Sequence, residues 1–140
     1  MTAWMRTVAR WLLGTGLTGA GIAHLTVQRV EFQAQVPDWF PLSEDYVVLA
    51  SGVVEIALGL AALFLVWHKA LVGWTIAAFF VVIFPGNIWQ WIEGKDAFGL
   101  DTDAKRFGRL FLQPLFVGVA LFATDAWANR DQIARMLRRP

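Results

Sequence analysis

Five side chains that can donate, accept or carry a proton stand inside or at the rim of otherwise apolar runs: His24, Glu55, Asn87, Arg109 and Gln113. Glu55 is the most informative. It interrupts the run Tyr46–Trp67, which is long enough to cross a bilayer. A carboxylate at mid-span costs roughly 2.5–3.5 kcal/mol on insertion scales, so it is kept only if it faces the protein interior and finds a partner. A carboxyl and an imidazole held together there could pass a proton, which makes Glu55 and His24 the candidate catalytic pair. Asn87, Arg109 and Gln113 could orient the polar head of a bound molecule. Quinone carbonyls, for example, ask for a few donors in an otherwise apolar cleft. Each residue also has a structural alternative. Glu55 could bridge helices to His24 or Arg109. His24 could meet lipid headgroups, and Arg109 could snorkel. Asn87 and Gln113 could repair backbone carbonyls freed by nearby prolines.

These residues need elements to position them. Four apolar stretches, about 8–27, 46–67, 70–91 and 109–127, each approach the roughly 20 residues of a spanning helix. The second and third are joined only by His68-Lys69, which demands a tight antiparallel hairpin. The expected fold class is all-α, a single antiparallel four-helix transmembrane bundle over residues 1–140. The first stretch lacks an Ala-x-Ala-like cleavage site and reads as a retained span rather than a signal peptide. Trp4, Trp11, Trp67, Trp74 and Trp127 fall near one set of span ends and Trp39, Trp89 and Trp91 near the other, as two aromatic belts. Arg6, Arg10, Lys69, Arg130, Arg135, Arg138 and Arg139 share one side. Arg29, Lys95, Lys105, Arg106 and Arg109 share the other, among many acids. The lysine and arginine bias places both termini in the cytoplasm and predicts a multi-pass protein of the cytoplasmic membrane.

In that frame all five polar residues lie in the outer half of the bundle. Glu55 sits about nine residues below the outer start of its helix, or roughly 13 Å. Arg109 opens the fourth span, with Gln113 one turn deeper on the same face. Gly52, Glu55 and Gly59 also share a face, leaving room for a neighbouring backbone or a small ligand. Gly14, Gly16, Gly19 and Gly21 are expected to admit a close helix. Pro85 and Pro114 should free the carbonyls of Val81 and Leu110. The first outer loop, Gln28 to Asp45, carries Phe32, Val36, Trp39 and Phe40 and should lie in the interface or cap the bundle. The second, Glu93 to Gly108, reads as a plain solvated loop.

Composition bounds the chemistry. The 140 residues are 57% hydrophobic and 16% charged, the balance of a membrane protein. A net charge of +1 offers no field for nucleic acid. There is no cysteine, so no disulfide or thiolate chemistry is expected. Only His24 and Glu55 could serve a metal, too few for a zinc or iron site. His24 and His68 fall on opposite sides, which excludes a bis-histidine haem.

Gly21-Ile-Ala-His24, Val36-Pro37, Ser51-Gly52-Val-Val-Glu55-Ile-Ala-Leu-Gly59, Phe84-Pro85-Gly-Asn87 and Arg109-Leu-Phe-Leu-Gln113-Pro114 together resemble the DoxX-like membrane proteins, over about residues 9–126. Leu25 stands where that family commonly has Phe, and Gly86 where it has Ala. The resemblance implies a four-helix membrane fold with these five residues as its polar signature, and an association with quinone-linked oxidoreductases. The expected function is a membrane redox subunit binding a quinone or another small lipophilic molecule, in the bilayer, with a membrane or soluble redox partner and room for a homo-oligomer. The alternative is a non-catalytic structural or assembly subunit; a lipid-handling or transport protein ranks third.

Overall fold

The computed structural model describes residues 2–139. Its elements are helical: α1 (Thr2–Leu25), α2 (Arg29–Gln33), α3 (Glu44–Phe64), a 3-10 turn (Val66–His68), α4 (Lys69–Ile92), α5 (Asp103–Leu110), α6 (Leu112–Ala123) and α7 (Arg130–Leu137). Among the described residues there is no strand. Three stretches are long and apolar enough to cross a membrane: Glu44–Phe64, Val66–Ile92 and Asp103–Ala123. The expected first span is not among them. Its helix has the length, but Arg10 and the series Gly14, Thr15, Gly16, Thr18, Gly19 and Gly21 make it less apolar than the others.

The expected last span is also corrected. Helix begins at Asp103, where the Thr102 hydroxyl caps α5 by accepting from the Lys105 N–H, and it ends at Ala123. Arg109 therefore lies in the last turn of α5 rather than at a helix start. The chain breaks at Phe111, between the two pieces. Pro114 explains the break: it has no N–H for Leu110 and disfavours helix in the residue before it. Phe111 instead bonds back to Gly108 over 3.2 Å, a tighter turn. Ser43 caps α3 in the same manner as Thr102, accepting from Tyr46.

The largest helix interface pairs α1 with α3, antiparallel. Gly14 lies on Gly59 and Leu63, and Gly21 on Gly52 and Ile56, so that a Cβ at Gly21, Gly52 or Gly59 would strike the other helix's backbone. This is the close approach that small residues permit. Gly16 and Gly19, expected to do the same, face open space. They are rotated off the stripe that Gly14 and Gly21, seven residues apart, define. Arg10 closes the interface: its Nη1 donates to the Ala62 and Leu63 carbonyls at 2.6 and 3.0 Å, satisfying the C-terminus of α3.

Helices α4 and α6 form the second antiparallel pair, with Gly73 against Thr124 and the Phe80 and Phe116 rings 5.4 Å apart. The buried core, centred on Ile76, Ala77, Leu13, Leu17, Ala120 and Ala123, sits toward the end of the molecule that holds the Val66–His68 turn. There Arg6 pairs with Asp125 at 3.1 Å, tying α1 to the end of α6. At the opposite, loop end, residues 93–102 are not the plain solvated loop expected. Gly94, Phe98 and Gly99 take positive φ, Ala97 is buried, and Arg106 bonds Asp96 at 2.6 Å and the Leu100 carbonyl at 3.0 Å. Lys95 reaches Asp38 of the first loop at 3.3 Å. A guanidinium with two loop oxygens within reach folds the segment back onto itself, which composition alone does not reveal.

Candidate functional site

The helices converge at the turn end and enclose a cavity of about 920 Å³ toward the loop end. Its walls are mostly apolar, from Leu12 and Leu17 of α1, Val48 of α3, Ile83 of α4 and Phe116 of α6. Polar groups gather on it: His24, Glu55, Asn87, Arg109 and Gln113 all line it, together with Gln35. The structure thus brings the five residues singled out from the sequence to one space. His24, Glu55, Asn87 and Gln113 are buried, and Arg109 is half-buried.

The five fall into two groups. His24 Nδ1 lies 2.9 Å from Glu55 Oε2 and 2.8 Å from the Ala20 carbonyl. A carbonyl and an ionised carboxylate can each only accept, so the two compete for a proton on Nδ1. Glu55 Oε2, in a residue only 5% exposed, has this shared imidazole nitrogen beside it and makes no well-aligned hydrogen bond. Gly52 makes this geometry possible. A Cβ there would meet the His24 Cβ at 2.8 Å, so glycine lets the imidazole ride against α3 one turn before the carboxylate. The space at Gly52 and Gly59 is therefore occupied by α1, and of these three residues only Glu55 reaches the cavity.

The second group is a network of amides. Asn87 Nδ2 donates to Gln113 Oε1 at 3.4 Å, and Gln113 Nε2 donates to the Phe80 carbonyl at 2.8 Å. The expected repair of the Val81 carbonyl freed by Pro85 is not what Gln113 does: it bonds the preceding carbonyl, that of Phe80, whose helical partner Phe84 keeps its N–H. Arg109 Nη1 also donates to Gln113 Oε1, at 3.4 Å, and its guanidinium stands 5.8 Å over the Phe116 ring. Arg6, Arg29 and Arg106 each have an aspartate partner, whereas no carboxylate of the described residues lies within ion-pair range of Arg109.

Three contributors went unrecognised in the sequence. Phe32 of α2 stacks on His24, centroids 3.3 Å apart and planes at 15°. Gln35 Nε2 donates to Asn87 Oδ1 and to Gln90 Oε1, both at 3.0 Å. Gln90, buried, passes the chain on to the Lys95 carbonyl at 3.2 Å. Gly86 lets this happen, since a Cβ there would strike the Gln35 carbonyl. The first loop therefore caps the site. Gln90 carried a usable signal, because it follows Asn87 by three residues on one helix face. Gln35 carried none, being in an aperiodic loop. Among the described residues no three His, Asp or Glu side chains converge as a metal would need.

A family model described as a domain of unknown function (DUF8561) matches residues 13–124, and the chain belongs to that family. No curated protein and no solved structure matches it. This corrects the resemblance to DoxX-like proteins: the matching model is DUF8561, and no DoxX family matches. The shared strings are short and rich in Gly, Pro and apolar residues, which any closely packed set of apolar helices uses.

Proposed function

We propose that this member of the DUF8561 family is a multi-pass protein of the cytoplasmic membrane that binds a small lipophilic molecule with a polar head, a quinone being the first to test. In this reading α1 is a fourth span, escorted by α3 along its whole length, and the bundle is antiparallel with both termini in the cytoplasm. The exposed apolar side chains of α3, α4 and α6, such as Val53, Val82 and Leu115, support immersion in lipid. So does Trp67, exposed at the turn. The basic residues at the turn end, Arg6, Lys69, Arg130 and Arg135, support its cytoplasmic placement.

One observation carries the ligand reading: an apolar cavity of about 920 Å³ with a buried carboxylate–imidazole pair and an arginine free of any carboxylate partner on its wall. Small-molecule sites commonly span 300–1,000 Å³ with a few convergent polar groups. Arg109 would donate to an oxygen of the head, with Asn87 and Gln113 holding the guanidinium's surroundings in place. Glu55 and His24 would exchange protons with the head, and a membrane or soluble partner would supply electrons in a redox setting. Titration of purified protein with decylubiquinone tests this. Saturable binding weakened by Glu55→Gln is expected; equal affinity in both proteins, or no binding, counts against it.

A second reading is favoured by the amide network. Asn87, Gln113, Gln35 and Gln90 bond one another and the backbone, as groups that only lock helices together would. In a purely structural subunit, Glu55→Gln lowers thermal stability in detergent and no ligand shifts it.

A further inference from the structure

We infer that the occupant is a single-chain amphiphile that enters sideways from the acyl-chain layer, its oxygen-bearing head against Glu55 and Arg109 and its chain in the slot between α1 and α6. This rests on the ligand-binding reading above and adds the ligand's shape and its route.

The loop end of the cavity is closed. Phe32 covers His24, Val36 is buried, and Gln35 is tied to both Asn87 and Gln90. From Gln35, lying on Gly86 of α4, the chain crosses to Ser43, the cap of α3, carrying Trp39 and Phe40 over that side. There α4 alone contributes exposed lining residues, Val82 and Pro85, whereas on the side formed by α1 and α6 both helices do. These helices are tied at Arg6–Asp125, and beyond that point Leu12, Gly16 and Leu115 line the cavity while also being exposed on the outside. Leu12 is 68% and Leu115 56% exposed, so the cavity wall and the molecular surface are the same residues there. A Cβ built on Gly16 meets nothing within 4 Å, which marks an opening rather than a packed seam.

The chemistry of this opening selects the occupant. In a bilayer it faces hydrocarbon, so a chain passing through it never leaves an apolar medium. A compact polar solute would have to cross acyl chains to reach it. At the inner end the protein offers Glu55 Oε2, whose neighbouring donor His24 Nδ1 also faces the Ala20 carbonyl, and a donor fork with one weak bond, Arg109. A head with an oxygen for Arg109 and, in its hydroxylated form, an O–H for Glu55 satisfies both.

The test compares two probes sharing one head, decylubiquinone and the chainless 2,3-dimethoxy-5-methylbenzoquinone, on detergent-purified full-length protein. Wild type should bind the decyl compound at least tenfold more tightly. Gly16→Phe, which has space to be accommodated, and Leu115→Trp from the facing wall should each remove that advantage and leave chainless binding within twofold. Val82→Trp, which narrows the rival exposed wall on α4, should leave at least half of the decyl compound's advantage in place, and two slot variants guard against one failing to fold. If wild type binds both probes equally, or if Val82→Trp alone abolishes the chain's advantage, the slot assignment is overturned while the binding reading stands. If neither probe binds, both fall.

Discussion

At the residue scale, the informative contrast is between polar groups that are satisfied and those that are not. Gln113 and Asn87 spend their hydrogen bonds within the protein, whereas Glu55 Oε2 only shares the His24 Nδ1 with the Ala20 carbonyl. Leaving a buried acceptor unpaired costs on the order of 1–3 kcal/mol, and more for a charged group. Glu55→Gln keeps the side chain's shape but removes the charge beside His24, so it should lower the melting temperature modestly and weaken decylubiquinone binding at least tenfold, read by a titration and a melting curve on one preparation. Gln113→Leu removes the acceptor of Asn87 Nδ2 and Arg109 Nη1 and the donor to the Phe80 carbonyl, and should lower the melting temperature by several degrees. Arg10 belongs to the same logic. Its replacement by Ala strands the Ala62 and Leu63 carbonyls, for about 1–3 kcal/mol, and Arg10→Lys should recover part of the loss. The sequence placed Arg10 only among the basic residues of one membrane side; its role as a cap depends on where α3 happens to end.

At the scale of elements, the seam between α1 and α3 separates two kinds of glycine. Gly21 and Gly59 face backbone, and a methyl at either has nowhere to go. Gly21→Ala and Gly59→Ala should each cost roughly 1–3 kcal/mol, as overpacking does. Gly19→Ala, on the open side, should be neutral or slightly stabilising by removing backbone freedom from the unfolded chain. Thermal melts of the three variants in one detergent check this; equal loss at Gly19 and Gly21 would contradict the assigned seam. The four glycines are alike in the sequence, and their seven-residue spacing pairs Gly14 with Gly21 only once a partner helix is placed.

At the scale of the whole molecule, the absence of cysteine makes topology directly testable, because any introduced cysteine is unique. His68→Cys and Asn129→Cys should react with a membrane-impermeant maleimide only from the cytoplasmic side. Gly99→Ala,Asp101→Cys, or Asp101→Cys alone, should react only from outside. Labelling of His68→Cys and Asp101→Cys from the same side would remove one span and with it the four-span arrangement. The cavity lies where the two antiparallel helix pairs separate beyond the core at the turn end, so its existence is a property of how both pairs lean together.

Local chemistry settled a good deal in advance. The apolar runs of α3 and α4, the short turn between them, and the break before Pro114 follow from residue type and backbone geometry at neighbouring positions. The five polar residues were legible for the same reason, since hydrophilic groups within apolar runs must turn inward. What only the tertiary structure decided is each group's partner. His24 meets Phe32 and Ala20 as well as Glu55, and Gln35 joins Asn87 from an aperiodic loop. Those pairings depend on helix rotation, on where glycines let backbones touch, and on how a connecting segment crosses the bundle, none of which leaves a periodic trace in the chain.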